Sequence, residues 1–93
     1  MVVGILKIDL FIPESNSLKV KRSAIKSLKD RLRSRFNVSV AELDHNELWQ
    51  RAELGVAVVS NDGKHVESVL GNVMNLVYGD RRVEVIDTTI TYV

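Results

Sequence analysis

The spacing of the apolar residues changes at Pro13, and this change constrains the fold more than any other feature of the chain. Between Val2 and Ile12, apolar and polar side chains alternate, which is the period of a half-buried β-strand. Between Leu18 and Phe36, apolar side chains recur every three or four residues, which predicts one long amphipathic helix with Asn16 or Ser17 as its N-cap. The chain therefore begins with a strand that is followed by a helix.

The rest of the chain repeats these two patterns. A second amphipathic helix has Asn61 or Asp62 as its predicted N-cap and ends before Gly79, where a left-handed residue is expected. Segments rich in β-branched and apolar residues predict three further strands at Asn37–Asp44, Ala52–Ser60 and Arg81–Val93. The apolar parity of the last strand changes after Val85, and a β-bulge near Asp87 would reconcile its two halves.

The order βαββαβ predicts an α+β fold, the ferredoxin-like plait. Two right-handed split βαβ units place two helices on one face of a four-stranded antiparallel sheet, with the first and third strands in its centre. A chain of 93 residues suits one domain, so residues 1–93 are predicted to form a single ferredoxin-like domain.

The residue types that many enzymes and metal sites require are missing from the sequence. It contains no cysteine, which excludes disulfides, thiol nucleophiles and cysteine-based zinc sites. The two histidines, His45 and His65, belong to no metal-binding spacing, and no phosphate-binding or nucleophile motif is present. We therefore predict a non-enzymatic protein with no catalytic residue, no metal and no cofactor. The apolar N-terminus lacks the features of a signal peptide, and no apolar run approaches the roughly 18 residues of a membrane span, which predicts a cytoplasmic protein with no membrane partner.

The first helix carries most of the positive charge of the chain. Residues Leu18–Phe36 contain eight of the 13 Lys and Arg residues and one of the 12 acids, so this segment is net +7 and the rest is net −6. Five of these cations recur at helical spacings of three and four, and we call them the basic stripe: Lys19, Arg22, Lys26, Lys29 and Arg33. Their charge and extent suit a polyanion, so the stripe and Lys21, in the first turn, are predicted to contact RNA phosphates. The competing interpretation is an ordinary solvated helix face.

Two further regions are candidates for contact with a partner. The segment "DHNELWQR" predicts a recognition loop formed by His45, Trp49 and Arg51. The favoured alternative is structural, with Asp44 capping a turn and Trp49 covering the edge of the core. The sheet face opposite the helices is predicted to carry apolar side chains at Val3, Ile5, Phe11, Ala57, Val59 and Ile86. A second copy of the chain, forming a homodimer, or another protein partner is predicted to cover that face or to pair with an edge strand.

Two blocks of the sequence, "SLKVKRSAIKSLKDRLRSRFNVSVAELD" and "LWQRAELGVAVVSND", resemble the YlxP-like family of small bacterial proteins. The resemblance implies a ferredoxin-like fold and genes that lie near those of transcription and translation factors, but it implies no catalytic residues. It therefore favours a non-enzymatic protein that associates with RNA or the ribosome through the basic helix. The alternative is a dimeric ligand-sensing or protein-interaction module of the βαββαβ type.

Overall fold

Six elements follow one another in the predicted order in the computed structural model of the protein, which describes residues 1–93. They are β1 Val2–Phe11, α1 Leu18–Arg35, β2 Ser39–Asp44, β3 Arg51–Ser60, α2 Gly63–Tyr78 and β4 Glu84–Tyr92. The strands form one antiparallel sheet in the order β2-β3-β1-β4. This arrangement confirms the ferredoxin-like plait, with β1 and β3 central and β2 and β4 at the edges.

The core lies between the sheet and the two helices and is entirely aliphatic. Alternate residues of β1 and β3 point into it because successive side chains of a strand face opposite sides of the sheet. Leu6, Ile8 and Leu10 are fully buried in this way, beneath Leu28 of α1 and Val73 of α2. Each such side chain contributes roughly 1.5–3 kcal/mol by burial.

A glycine lets α2 approach β1 closely. A Cβ atom added at Gly4 would lie 2.4 Å from Cγ1 of Val66 and 3.0 Å from Cδ1 of Leu70. Any larger residue at this position would push the helix away from the sheet, since both contacting groups belong to the packed core.

The predicted bulge in the last strand is confirmed. Asp9 lies opposite Asp87 and Leu10 opposite Val85, so Ile86 is the extra residue of β4. The prediction of a left-handed Gly79 is wrong, because its φ is −77°. The chain instead leaves α2 through a right-handed turn in which the N–H of Asp80 donates to the carbonyl of Val77 at 3.0 Å.

Asp80 joins the end of α2 to α1 and to the start of β4. Its buried carboxylate accepts hydrogen bonds from Arg31 of α1 and from the backbone and side chain of Arg82, the latter at 2.9–3.3 Å. Burial alone would raise the pKa of Asp80, but the Arg82 hydrogen bonds and the charges of Arg82 and Arg31 outweigh it, so the pKa is lowered. The ionised form therefore stabilises the fold.

We expect Asp80→Asn to lower the free energy of unfolding by about 2 kcal/mol at neutral pH, because charge-assisted hydrogen bonds are lost. The folded-state pKa is lowered, so this contribution is present above the unfolded pKa, near pH 4, and is lost as the pH falls through the folded-state value. Urea unfolding at pH 7 and pH 3 should show the difference between wild type and variant shrinking in acid. Glu84→Gln, at an exposed carboxylate, is the control. An equal difference at both pH values would refute the role of the charge.

Candidate nucleic-acid interface

The structure brings the five residues of the basic stripe together along one side of α1. A neighbouring side of the helix is buried against the sheet through Ala24, Ile25, Leu28 and Leu32. Within the stripe Lys29 is half-buried and the other four residues are exposed. The helix begins at Leu18, after the N-cap Ser17, whose hydroxyl accepts from the N–H of Val20 at 3.1 Å, and its first turn contains no acidic residue. The stripe is therefore continuous, open to solvent and cationic from its first turn.

One acid reduces the charge of the stripe. Asp30 lies 2.8 Å from Nζ of Lys26 and 4.0 Å from Nη1 of Arg33. The hydrogen bond from Lys26 is the main cause of its lowered pKa, and the charges of Lys26, Arg33 and Lys29 add to it. Lys19, Arg22 and Lys29 form no ion pair and no side-chain hydrogen bond. Their charged groups are therefore the ones in the stripe that are most available to a ligand.

The prediction that Lys21 contacts phosphate is wrong. Its side chain is completely buried, and Nζ donates to Oε2 of Glu42 at 3.2 Å and to the carbonyls of His45 and Asn46 at 2.8 and 3.2 Å. Lys21 precedes Ile25 by one helical turn, on the side that faces the sheet, and the chain after β2 closes over its ammonium group. The helical spacing places Lys21 beside the core-facing residues and so could have indicated its burial. It does not show which acceptors surround the ammonium group.

Lys21→Met should lower the free energy of unfolding by about 3–5 kcal/mol, because it leaves Glu42 and buried carbonyls without their shared donor. Lys19→Met is the matched control, since Lys19 is exposed and has no partner. Its effect should stay within about 0.5 kcal/mol. Chemical denaturation measures both, and equal stabilities of the two variants would contradict the structural role of Lys21.

The connection between β2 and β3 presents one exposed aromatic ring. Trp49 is 56% exposed, so the interpretation that it covers the edge of the core is wrong. The predicted cap by Asp44 is also not formed. Its Oδ1 accepts from the N–H of the adjacent residue, His45, at 2.7 Å and not from a residue further along the turn. His45 is half-buried with a positive φ of 65°. In this left-handed conformation the carbonyl of His45 accepts the hydrogen bond from Nζ of Lys21.

Arg51 is committed to the sheet rather than free for a partner. Its Nη2 lies 2.9 and 2.8 Å from the two carboxylate oxygens of Asp9, on the neighbouring strand β1. Of the three residues predicted to contact a partner, Trp49 is thus the exposed one.

Trp49 lies at the end of the molecule where α1 begins. Nε2 of Gln50 donates to the carbonyls of Pro13 and Ser15 at 3.2 Å, which ties this connection to the segment before the helix. A shallow cleft is formed here by Ser15, Asn16, Leu48, Trp49, Gln50 and Arg51. A second cleft, of about 430 Å³, has Ile12, Val20 and Ala24 in its lining and includes Lys19 and Arg82. The first turns of α1 therefore combine cations, an aromatic ring and two clefts.

The bulge at β2 also assembles a group that the sequence spacing did not indicate. Asp44 lies opposite Glu53, with the register shifted around Leu43, and ligand atoms of Asp44, His45 and Glu53 lie within 4.8 Å of one another. These residue types can hold a metal ion. Glu53 also lies 3.9 Å from Nζ of Lys7, and exposed carboxylates commonly cluster without an ion, so we assign this group no function.

Neither helix has the length and apolar character that crossing a membrane demands. Residues 3–90 match the family described as protein of unknown function DUF503. The chain is 33% identical over 73 residues to the uncharacterized protein YlxP of Bacillus subtilis (strain 168), an alignment that covers 78% of this chain and 79% of that protein.

Solved structures show the same fold. The de novo designed protein Foldit4 superposes with a TM-score of 0.57 at 15% identity, over 98% of this chain and 97% of its own. The designed protein LFR1 1, described as having a ferredoxin fold, gives a TM-score of 0.57 at 12% identity, over 100% of this chain and 84% of its own. At such identities the likeness concerns the fold alone.

Proposed function

The chain belongs to the DUF503 family, and from that premise we propose that it is a non-enzymatic cytoplasmic protein that binds structured RNA, free or within the ribosome, through α1. The family description names no activity, so the proposal rests on the surface of this chain. The observation that carries it is the basic stripe, in which Lys19, Arg22 and Lys29 have no acidic partner.

The stripe is unfavourable for an isolated protein and favourable for one that binds a polyanion. Lys19 occupies the first turn, where the helix dipole favours acids. The pairs Arg22–Lys26 and Lys29–Arg33 place like charges four residues apart, which also destabilises a helix. Phosphates along the stripe, which is roughly 20 Å long at 1.5 Å per residue, would relieve both repulsions. Such contacts position RNA without reading its sequence.

Trp49 adds a contact of another kind at the end of the stripe. An exposed aromatic ring can stack on an unpaired base whatever its identity. The central strands carry no aromatic residue except Phe11, so stacking on the sheet, as in RNA-recognition motifs, is not part of the proposal. A ligand that places the phosphates of a stem along α1 and an unpaired base against Trp49 is a structured RNA.

The proposal includes no catalysis. The two carboxyl groups with shifted pKa values, Asp30 and Asp80, both have lowered values and are held by Lys or Arg side chains. They remain ionised at neutral pH, whereas a general acid needs a pKa near the working pH.

The charge of the stripe is tested by Lys19→Gln/Lys29→Gln, measured with a fluorescent RNA hairpin over a range of salt concentrations. Each lost phosphate contact should reduce the salt slope by about 0.9 and the affinity at about 0.1 M salt roughly tenfold. The matched control is Lys7→Gln/Lys64→Gln, which makes the same change in net charge on the open sheet face and at the start of α2. If both double variants bind equally, the effect is one of net charge and the stripe is not the interface.

Trp49→Ala should weaken binding of a hairpin with an unpaired loop roughly 5- to 150-fold, the range of one lost stacking contact. The salt slope should stay unchanged because no cation is removed. Leu48→Ala, at the neighbouring exposed apolar residue, is the control, and Trp49→Phe should retain most of the affinity. Wild-type affinity of Trp49→Ala for this hairpin would remove Trp49 from the interface.

A dimeric interaction module is the second candidate. The observation that favours it is the edge strand β4, which is nine residues long and has a hydrogen-bonded neighbour on one side only.

A further inference from the structure

The two edges of the sheet differ in how they are protected against pairing with another chain. The β2 edge is six residues long, is interrupted by the bulge at Leu43, and has Arg33 bonded to the carbonyl of Val40 at 2.6 Å. The β4 edge is longer and has its own bulge at Ile86, but residues Thr88–Val93, which follow the bulge, include no charged residue and no Pro. These residue types are the ones with which natural edge strands avoid pairing. The part of the β4 edge after the bulge thus lacks the usual protection.

The hydrogen-bond pattern shows which backbone groups of β4 point outward. Val3 and Val93 exchange both of their backbone hydrogen bonds, at 3.0 and 2.8 Å. Hydrogen-bonded and non-hydrogen-bonded pairs alternate along an antiparallel ladder, so Thr91 and Thr89 also point their N–H and C=O groups toward β1. The backbone N–H and C=O groups of Thr88, Ile90 and Tyr92 therefore point away from the sheet.

The outward edge is also apolar on the side of the sheet that bears the helices. Ile90 lies opposite Leu6 and Tyr92 opposite Gly4, both of which face the core. Yet Ile90 and Tyr92 are 48% and 49% exposed, so the helices do not cover them. Free backbone groups and uncovered apolar side chains thus coincide on the same residues.

We propose that β4 pairs antiparallel with β4 of a second copy of this chain, about a two-fold axis through Ile90, so that the two sheets become one. This register joins the outward groups of each strand, because Ile90 faces its own counterpart and Thr88 faces Tyr92. Thr89 then lies opposite Thr91 on the other face, and threonine pairs of this kind are favourable across strands. The paired residues 88–92 carry no charge, and neither Glu84 nor Asp87 meets an acid.

A second copy fits this edge because the register pairs uncharged residues and opposes no like charges. The inference specifies the dimeric module named above as the second candidate, and it does not depend on RNA binding. Helix α1 packs beside β2, at the opposite edge of the sheet, so the basic stripe stays free in such a dimer.

The chain has no cysteine, so single cysteine variants of the full-length protein test the register directly. In a hydrogen-bonded pair the Cα atoms lie about 5.5 Å apart, within the roughly 4.4–6.8 Å that a disulfide spans. Ile90→Cys should therefore become mostly disulfide-linked dimer under mild oxidation, as seen on a non-reducing gel and reversed by reductant. Thr88→Cys is the matched control, because its counterpart would lie about 13 Å away, four residues along the strand. It should remain monomeric on the gel.

Val59→Cys, at an exposed residue of β3 on the open sheet face, separates the alternatives. Cross-linking of Val59→Cys without Ile90→Cys would overturn pairing through β4 and leave a dimer that uses the open face. Equal cross-linking of Ile90→Cys and Thr88→Cys would indicate random collision and also overturn it. Sedimentation equilibrium of wild type should show a dimer, and a monomer at high micromolar concentration would overturn the dimer altogether. Ile90→Lys, whose paired lysines would repel each other, should sediment as a monomer, and a stable dimer of this variant would overturn pairing through β4.

Discussion

The buried ammonium group of Lys21 is the interaction on which the shape of the candidate site depends. Removing this charge from water is costly, and only a full set of acceptors makes it tolerable. The chain supplies Glu42 of β2 and the carbonyls of His45 and Asn46, so the connection that follows β2 must bend inward over α1. The same bend leaves Trp49 outside, beside the start of the helix. Lys21, on the core-facing side of α1, thus determines the position of the exposed Trp49 ring.

The charge of α1 divides into structural and available parts. Lys21 and Arg31 are used inside the fold, on Glu42 and Asp80, and Lys26 and Arg33 share Asp30. What remains without a partner in the stripe is three cations, which is a smaller binding surface than the sequence count of eight basic residues indicates. Counting charges in a helix therefore overestimates the electrostatic surface when part of that charge holds neighbouring elements together. The surviving cations still lie on one side, so their fields add.

Local patterns were sufficient to predict the element order, the sheet topology and the bulge beside Asp87, because hydrophobic periodicity depends on neighbours in sequence. The burial of Lys21 and the exposure of Trp49 were mispredicted because both depend on how a connection closes over a distant element. Asp44 and Glu53 meet only because of the shift at Leu43, and no spacing in the sequence encodes that shift. Gly79 adopts a right-handed turn, and its neighbour Asp80 forms ion pairs with Arg31 and Arg82. These tertiary contacts override the usual left-handed glycine at the end of a helix.

The two proposed surfaces lie at opposite edges of one sheet, and this separation has a physical consequence. The stripe belongs to α1, which packs beside β2, whereas the pairing edge is β4. A dimer joined through β4 would hold two stripes at a fixed distance on one rigid sheet. Binding of the second stripe to the same RNA would then be intramolecular, so three weak cationic contacts per chain would gain affinity without new contacts, provided that the RNA spans both. Weak electrostatic docking and edge pairing are therefore mutually supportive, because the second supplies the avidity that the first lacks.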